Sequence, residues 1–373
     1  MVIGLVVVLG FLPGFKKKQK QVEQPAPAKP AEKQAPGLAY ARLFAGEVKG
    51  LYLAGTTGEV LVYGDEWVEY LDGAGKQLWK KTGYQHVCGG GVSRDGQTVL
   101  FQTSPAPKVQ QSMLELTVHV ADRAGNEIVN QPNPQRYFTS ILSPKGNYIV
   151  FGDPLAQTVY VYDRQLNLLW TRNIYLWYVG FDPEEQLIYD SASGIVLSNR
   201  GRRVWQLPSG AKFLSVSSGA EVLLSQAFGT VASRTRIYLT SRTTAREVIL
   251  QGHCAGVSFD GSLTGFEDLD RKVHVYRTME LFDKMSGSQE VKPIWTGYFY
   301  FARQIRFSAD NSRLYIYGDT MQQSGRVEVF DLSKGRQLWE KDWVNPPSNI
   351  AVSEDLRFLV FSSGLSVEAY NPR

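Results

Sequence analysis

A degenerate unit recurs about eight times between Gly55 and Arg373, and no other feature constrains the fold so tightly. Its first half reads apolar–Ser–x–Asp–Gly ahead of a short β-branched run. Val92-Ser93-Arg94-Asp95-Gly96 and Val257-Ser258-Phe259-Asp260-Gly261 are the clearest copies. Looser ones are Leu142-Ser143-Pro144-Lys145-Gly146, Phe307-Ser308-Ala309-Asp310-Asn311 and Val352-Ser353-Glu354-Asp355-Leu356. The second half is a strand-like run ending in Asp, a turn holding Gly or Asn, then Leu-Trp or a relative. Asp72 to Trp79, Asp163 to Trp170 and Asp331 to Trp339 show it best, with Val204-Trp205 and Ile294-Trp295 as echoes.

Gly55-Thr56-Thr57-Gly58 takes the serine's place at the front, Asp182-Pro183-Glu184-Glu185 takes it in the middle, and Ser217 marks a further copy. Successive copies lie 35 to 50 residues apart, close to the length of a four-stranded propeller blade, about 40–50 residues. Within a copy the periodicity is two, not 3.6: Val159-Tyr160-Val161-Tyr162 and Arg326-Val327-Glu328-Val329-Phe330 alternate or form short buried runs between Gly, Asp and Ser clusters. No stretch past residue 40 has the pattern of a three-turn helix. The expectation is an all-β fold, an eight-bladed β-propeller of four-stranded antiparallel blades. Seven blades result if the weak copy near Asp182 or Ser217 merges with a neighbour.

The repeated residues have structural work to do. Ser-x-Asp-Gly suits the tight turn from the innermost strand to the next, where polar side chains bond the local backbone and Gly takes positive φ. The Asp turn leads to the outer strand, and its Trp suits a wedge between neighbouring blades. The last copy ends after three strands, whereas Leu38 to Ala45 is a strand-like segment with no copy of its own. Residues 38–45 are therefore expected to close the last blade and remove its unpaired edge.

The Asp-to-Trp turns at 72–79 and 331–339 resemble the tryptophan-docking repeats of quinoprotein-like (PQQ-like) propellers. That family includes pyrroloquinoline-quinone alcohol dehydrogenases and non-enzymatic propeller lipoproteins of bacterial outer-membrane assembly. The Ser-x-Asp-Gly halves look equally like WD-type bacterial propellers. The resemblance spans residues 38–373 and implies an architecture, since one superfold hosts many activities. The dehydrogenases carry an adjacent cysteine pair over the cofactor, and this chain has two cysteines, Cys88 and Cys254, far apart in sequence.

Residues 1–15 are uncharged and mostly apolar, and Lys16-Lys17-Lys18-Gln19-Lys20 follows. A full span needs about 20 apolar residues, so the stretch suits a signal or anchor segment whose basic n-region a start upstream of Met1 would supply. Residues 16–37, with Pro25, Pro27, Pro30 and Pro36 among Lys, Ala and Gln, form an extended linker. The expectation is a membrane-anchored propeller on the outer side of a bacterial membrane. The positive-inside rule applied to Lys16–Lys20 favours the cytoplasmic side, and both stay open at this point.

The formal charge of +4 is no sign of nucleic-acid binding. Residues 1–37 hold six lysines and two glutamates, which leaves the propeller formally neutral. A phosphate-gripping domain needs a basic excess, so the linker lysines are expected to touch anionic lipid at most.

Four histidines and two cysteines are few for a catalyst of this length. His253-Cys254 and His86-Val87-Cys88 open two innermost strands. With Cys88 in the second blade and Cys254 in the sixth of eight they face each other across the axis, too far for a disulfide, which needs Cα atoms within about 7 Å. Packed small hydrophobes are the expectation for these thiols, with a metal pair across the channel mouth as the sharper alternative. Gly89-Gly90-Gly91 lacks the Lys-Ser/Thr of a P-loop, and Glu267-Asp268-Leu269-Asp270 is too short for a calcium loop. No catalytic, metal or cofactor-binding residues are assigned.

The outer-to-inner connectors all open on one face, and several are aromatic. They carry Tyr84, then Tyr137 and Phe138, then Tyr175, Trp177 and Tyr178. Further on come Tyr298, Phe299, Tyr300 and Phe301, and finally Trp343. Such a ring suits a partner protein, a peptide or an envelope glycan, while buried seam plugs are the plainer alternative. The sequence thus points to a monomeric, non-catalytic, membrane-tethered propeller that binds a protein or cell-envelope ligand. The rival class is a PQQ-dependent quinoprotein oxidoreductase.

Overall fold

Ser93 shows why the repeat needs its serine. Its Oγ accepts the backbone N–H of Thr98 (2.9 Å) and donates to Asp95 (2.6 Å), which in turn accepts the N–H of Gln97 (3.0 Å). Gly96 closes the turn at a φ of 70°. The same set of bonds recurs at Ser258, Ser308 and Ser353, and the Oγ to N–H bond at Ser143 and Ser217. All six serines are buried, so losing the hydroxyl strands a buried donor at a cost of about 1–3 kcal/mol. In the copy without a serine, Asp182 Oδ1 accepts from Leu187 N (2.6 Å) and takes over the role.

The computed structural model describes residues 37–372 except 106–115, 133–138, 154–156, 174–178, 191–193, 207–210, 219–220, 229–234, 285–290 and 321–323. The expected anchor (1–15) and the linker up to residue 36 lie outside the described residues. Among the described residues no helix is long and apolar enough to cross a membrane.

Residues 38–372 form eight four-stranded antiparallel sheets. Blade 1 runs over 50–82, blade 2 over 86–132, blade 3 over 139–173, blade 4 over 179–206 and blade 5 over 211–251. Blade 6 runs over 254–298, blade 7 over 301–343, and blade 8 combines 349–370 with Leu38–Leu43. The copies at Asp182 and Ser217 each found a blade of their own, which excludes seven.

The apolar core consists of clusters that straddle the seams between blades. Strand alternation gives each sheet two apolar faces, and only a neighbouring sheet covers either one. Where the outer strand carries the repeated Trp, that Trp locks the seam. Trp79 of blade 1 lies over the Asp122–Asn126 turn of blade 2, where a Cβ on Gly125 would stand 2.8 Å from the indole. Trp170 of blade 3 meets Gly201 of blade 4 in the same way and donates its Nε1–H to Asn199 O (2.7 Å). Blade 5 has no Trp in its outer strand Arg246–Gln251. There the two-turn helix Thr278–Lys284, inserted ahead of the last strand of blade 6, packs Leu281 and Phe282 against Val248 and Leu250.

The turn before the outer strand departs from the expected Gly or Asn in blades 3 and 5, where Leu166 and Ala245 occupy the left-handed region at φ 61° and 51°. Arg271 does so at 67° in the turn between the second and third strands of blade 6. Leu166 is held by burial in the blade 2–3 seam and Arg271 by its contacts near Phe301. Ala245 is exposed and has neither support.

Closure occurs where the sequence placed it. Leu38–Leu43 pairs antiparallel with Ser366–Tyr370, Ala41 opposite Glu368. Near the axis the serine turns bond one another directly: Glu354 N–H to Gly55 O (2.8 Å), Thr56 N–H to Arg94 O (3.0 Å), Ala309 N–H to Glu354 O (2.8 Å) and Ser218 N–H to Phe259 O (2.6 Å).

Candidate functional site: the loop face of blades 6 to 8

Outer-to-inner connectors and the turns between second and third strands emerge on one face, and the serine and aspartate turns on the other. On the connector face blade 6 ends at Tyr298 and blade 7 begins at Phe301, so Phe299 and Tyr300 form a two-residue bridge between sheets. Tyr298 is 61% exposed and Phe301 40%, whereas Phe299 turns inward at 3% and joins the seam cluster. Tyr300 stands edge-on to Phe301, ring centroids 5.4 Å apart.

The bridge is pinned by a charge pair at the acidic run that the sequence offered only as too short for a calcium loop. Phe299 N–H donates to Arg271 O (3.0 Å), and the Arg271 guanidinium lies 3.5 Å from the centre of the Phe301 ring. Arg271 also pairs with Glu267 at 3.6 Å, a carboxylate with 0% exposure. Burial pushes the Glu267 carboxyl up to about 7, although Arg271 opposes the shift.

Beside the bridge a cavity of about 390 Å³ opens, walled by Tyr298, Phe299 and Tyr300 on one side and by Asp319, Arg326, Glu328 and Asp342 on the other. Strand register brings the acids together: Arg326 stands opposite Asp342, and Glu328 lies two residues along the same strand. The Arg326 guanidinium binds Asp342 through two bonds (2.6 and 2.8 Å) and Glu328 at 3.2 Å. That pairing holds Asp342 below the usual carboxylate range, while burial raises Glu328. Asp319 pairs with Arg303 at 2.7 Å. Three carboxylates against two guanidiniums, Arg303 and Arg326, leave the cavity with a one-charge acidic excess beside its aromatic wall, suited to a basic group flanked by apolar ones.

The other expected site residues fall elsewhere. Tyr84 lies half-buried in the blade 1–2 seam against Phe101 (5.6 Å) and His119 (5.4 Å). Burial pushes its hydroxyl up to about 12. Trp343 packs half-buried on Phe361 of blade 8 (4.5 Å) under Lys341. Tyr137, Phe138, Tyr175, Trp177 and Tyr178 lie outside the described residues. The structure therefore gathers Tyr298, Phe299 and Tyr300 at one cavity and places Tyr84 and Trp343 in seams. It adds exposed aliphatic groups on the same face, Val344 (89%), Leu365 and Leu43, which continue the apolar arc across blade 8.

A second cavity, about 450 Å³, follows the central axis along the inner strands of blades 4 to 8. Its floor is crossed by Arg94 of blade 2, whose guanidinium lies 4.9 Å from the ring centre of Phe259 in the opposite blade 6 and 2.5 Å from Glu354. Cys88 and Cys254 stand on those same opposed blades, and neither is in a disulfide. Cys254 packs in the blade 6–7 seam, where burial pushes its thiol up to about 12.

No protein-family model matches the chain, and no curated protein matches it. Solved structures do. BamB from Moraxella catarrhalis is 11% identical at a TM-score of 0.57, over 90% of this chain and 97% of that one. Saccharomyces cerevisiae Sqt1 is 11% identical at 0.60, over 91% and 100%. The Dos1 propeller is 12% identical at 0.53, over 90% and 96%. At such identities the likeness is one of fold: this chain shares the β-propeller architecture of proteins with which it shares little sequence.

Proposed function

We propose that this propeller is a non-catalytic binding module that docks a partner protein on the connector face of blades 6 to 8. One observation carries the proposal: exposed Tyr298 and Phe301 border an acidic, aromatic cavity of about 390 Å³. Exposed apolar groups with this contiguity mark interaction surfaces. The occupant that fits is an extended segment placing a Lys or Arg among Asp319, Glu328 and Asp342, with apolar residues over Tyr298 and Phe301. Tethering to a membrane through residues 1–15, with 16–37 as spacer and the propeller on the outer side, belongs to the same proposal.

The rival quinoprotein reading needs a flat aromatic floor and a carboxylate cluster for calcium. The channel residues do not fit that group: the floor is crossed by the Arg94–Phe259 contact, and the cysteines stand on opposite blades. Among the described residues no group of three or more His, Cys, Asp or Glu is placed to hold a metal ion. A photo-crosslinking residue at Tyr298, compared with one at Ile249 on the outer rim, tests the docking face. Discrete protein adducts from position 298, suppressed by a Lys/Arg-rich apolar peptide and not by an acidic one, are expected. Equal labelling at both positions overturns the proposal, as does saturable alcohol turnover with pyrroloquinoline quinone and calcium.

A further inference from the structure

The axial channel holds a charge that the protein leaves uncompensated. Three charged side chains line it: Arg303, Arg306 and Glu354. Arg303 is paired with Asp319 (2.7 Å), and Glu354 with Arg94 at the floor (2.5 Å). Arg306 has no carboxylate within ion-pairing distance among the described residues. Its polar contact is with Gln304, whose amide oxygen, in the orientation the neighbouring donors require, accepts from Nη2 (2.7 Å) and Nε (3.0 Å). A neutral amide satisfies two of the five guanidinium N–H groups and none of the charge.

Arg306 is exposed to the water of the channel, and the protein atoms around its guanidinium pull its pKa down from the ordinary value. Its cross-strand partner is Tyr315, whose buried hydroxyl has no hydrogen-bond partner. From blade 4, Tyr189 passes its ring over Gly180, where a Cβ would stand 2.4 Å away, and so reaches the channel wall. A cation open to the channel, with three N–H groups to spare and mostly apolar side chains around it, is placed to take a counter-anion.

We propose that the axial channel is a binding site for a small oxyanion, a carboxylate or phosphate group, held by Arg306. The cavity of about 450 Å³ admits a group the size of phosphate or citrate. Glu354 does not oppose entry, because Arg94 neutralises it at the far end.

Thermal unfolding of the full chain in inorganic phosphate, in citrate and in sodium chloride of matched ionic strength tests the site. Phosphate or citrate at tenfold its Kd is expected to raise the midpoint by about 2–4 °C over chloride. Arg306→Met abolishes that rise and, without anion, melts close to the wild type, since it removes an exposed side chain that makes no ion pair among the described residues. Arg303→Met keeps the rise. Should Arg306→Met fail to fold, Arg306→Lys takes its place, keeping the charge but losing the fork, with at least threefold weaker binding by calorimetry. Equal midpoints in all three salts, or a rise that survives the loss of the Arg306 guanidinium, overturn the proposal.

Discussion

Tyr40 of the closing strand lies over Gly75 of blade 1, so that a Cβ on Gly75 would stand 2.6 Å from the tyrosine ring. This is the relation of Trp79 to Gly125 and of Trp170 to Gly201, repeated at the one seam where the chain's two ends meet. The parallel extends two residues further. Arg42 donates to Gly75 O (3.1 Å) as Arg172 donates to Gly201 O (2.9 Å). Lys81 and Lys341, also two residues past their Trp, pair with Glu127 and Glu368 of the next blade. Leu38-Ala39-Tyr40-Ala41-Arg42 is thus a displaced copy of the repeat's own outer strand.

Closure therefore depends on Tyr40 as a ring and not as a hydroxyl, which is buried without a partner. Tyr40→Ala is expected to cost about 2–4 kcal/mol in urea unfolding, and Tyr40→Phe nothing or less than nothing. Gly75→Ala, at φ 81° and facing that ring, is expected to lose about 2–3 kcal/mol. If Tyr40→Phe proves as damaging as Tyr40→Ala, the packing account fails.

Ala245 sits exposed in the left-handed region at φ 51°. A non-glycine residue there is strained by about 1–2 kcal/mol, part of which Gly loses again through unfolded-chain entropy. Ala245→Gly is expected to raise stability by about 0.5–1 kcal/mol, read as a higher urea midpoint with an unchanged slope.

Glu267 sets a pH dependence. Its carboxyl titrates at about 7 when folded, above its ordinary value near 4.5. Between those values the folded state holds the proton more tightly than the unfolded state, so stability falls as pH rises from about 4.5 through about 7. The loss is expected to be on the order of 1–3 kcal/mol, and Glu267→Gln is expected to flatten it. Unfolding curves at pH 5, 6, 7 and 8 for both proteins check this; parallel profiles count against a raised Glu267.

The floor of the channel offers a coupling measurement. Arg94 and Glu354 are each about a quarter exposed, so their interaction is discounted for solvent to about 1 kcal/mol. A double-mutant cycle with Arg94→Met and Glu354→Gln is expected to return that coupling, and additive losses would contradict the pairing.

Much of this architecture was legible in the chain, because a propeller writes local chemistry into every repeat. The buried serine, the aspartate turn and the docking Trp are each fixed by contacts within a few residues of themselves or by a copy one period away. That made the all-β class, the eight blades and the closing strand readable before any coordinate. Where a residue substitutes for its repeat partner, as Asp182 does for Ser and Tyr40 for Trp, the pattern weakens while the physical role persists. What the tertiary structure alone decided is which side chains from different blades meet. Aromatic residues look alike in a sequence whether they plug a seam, as Phe299 and Tyr84 do, or face solvent, as Tyr298 does. Likewise Arg306 is one more basic residue in a balanced composition until ring closure turns it to the axial channel without a counter-charge, since partners across a wheel are set by blade geometry and not by spacing along the chain.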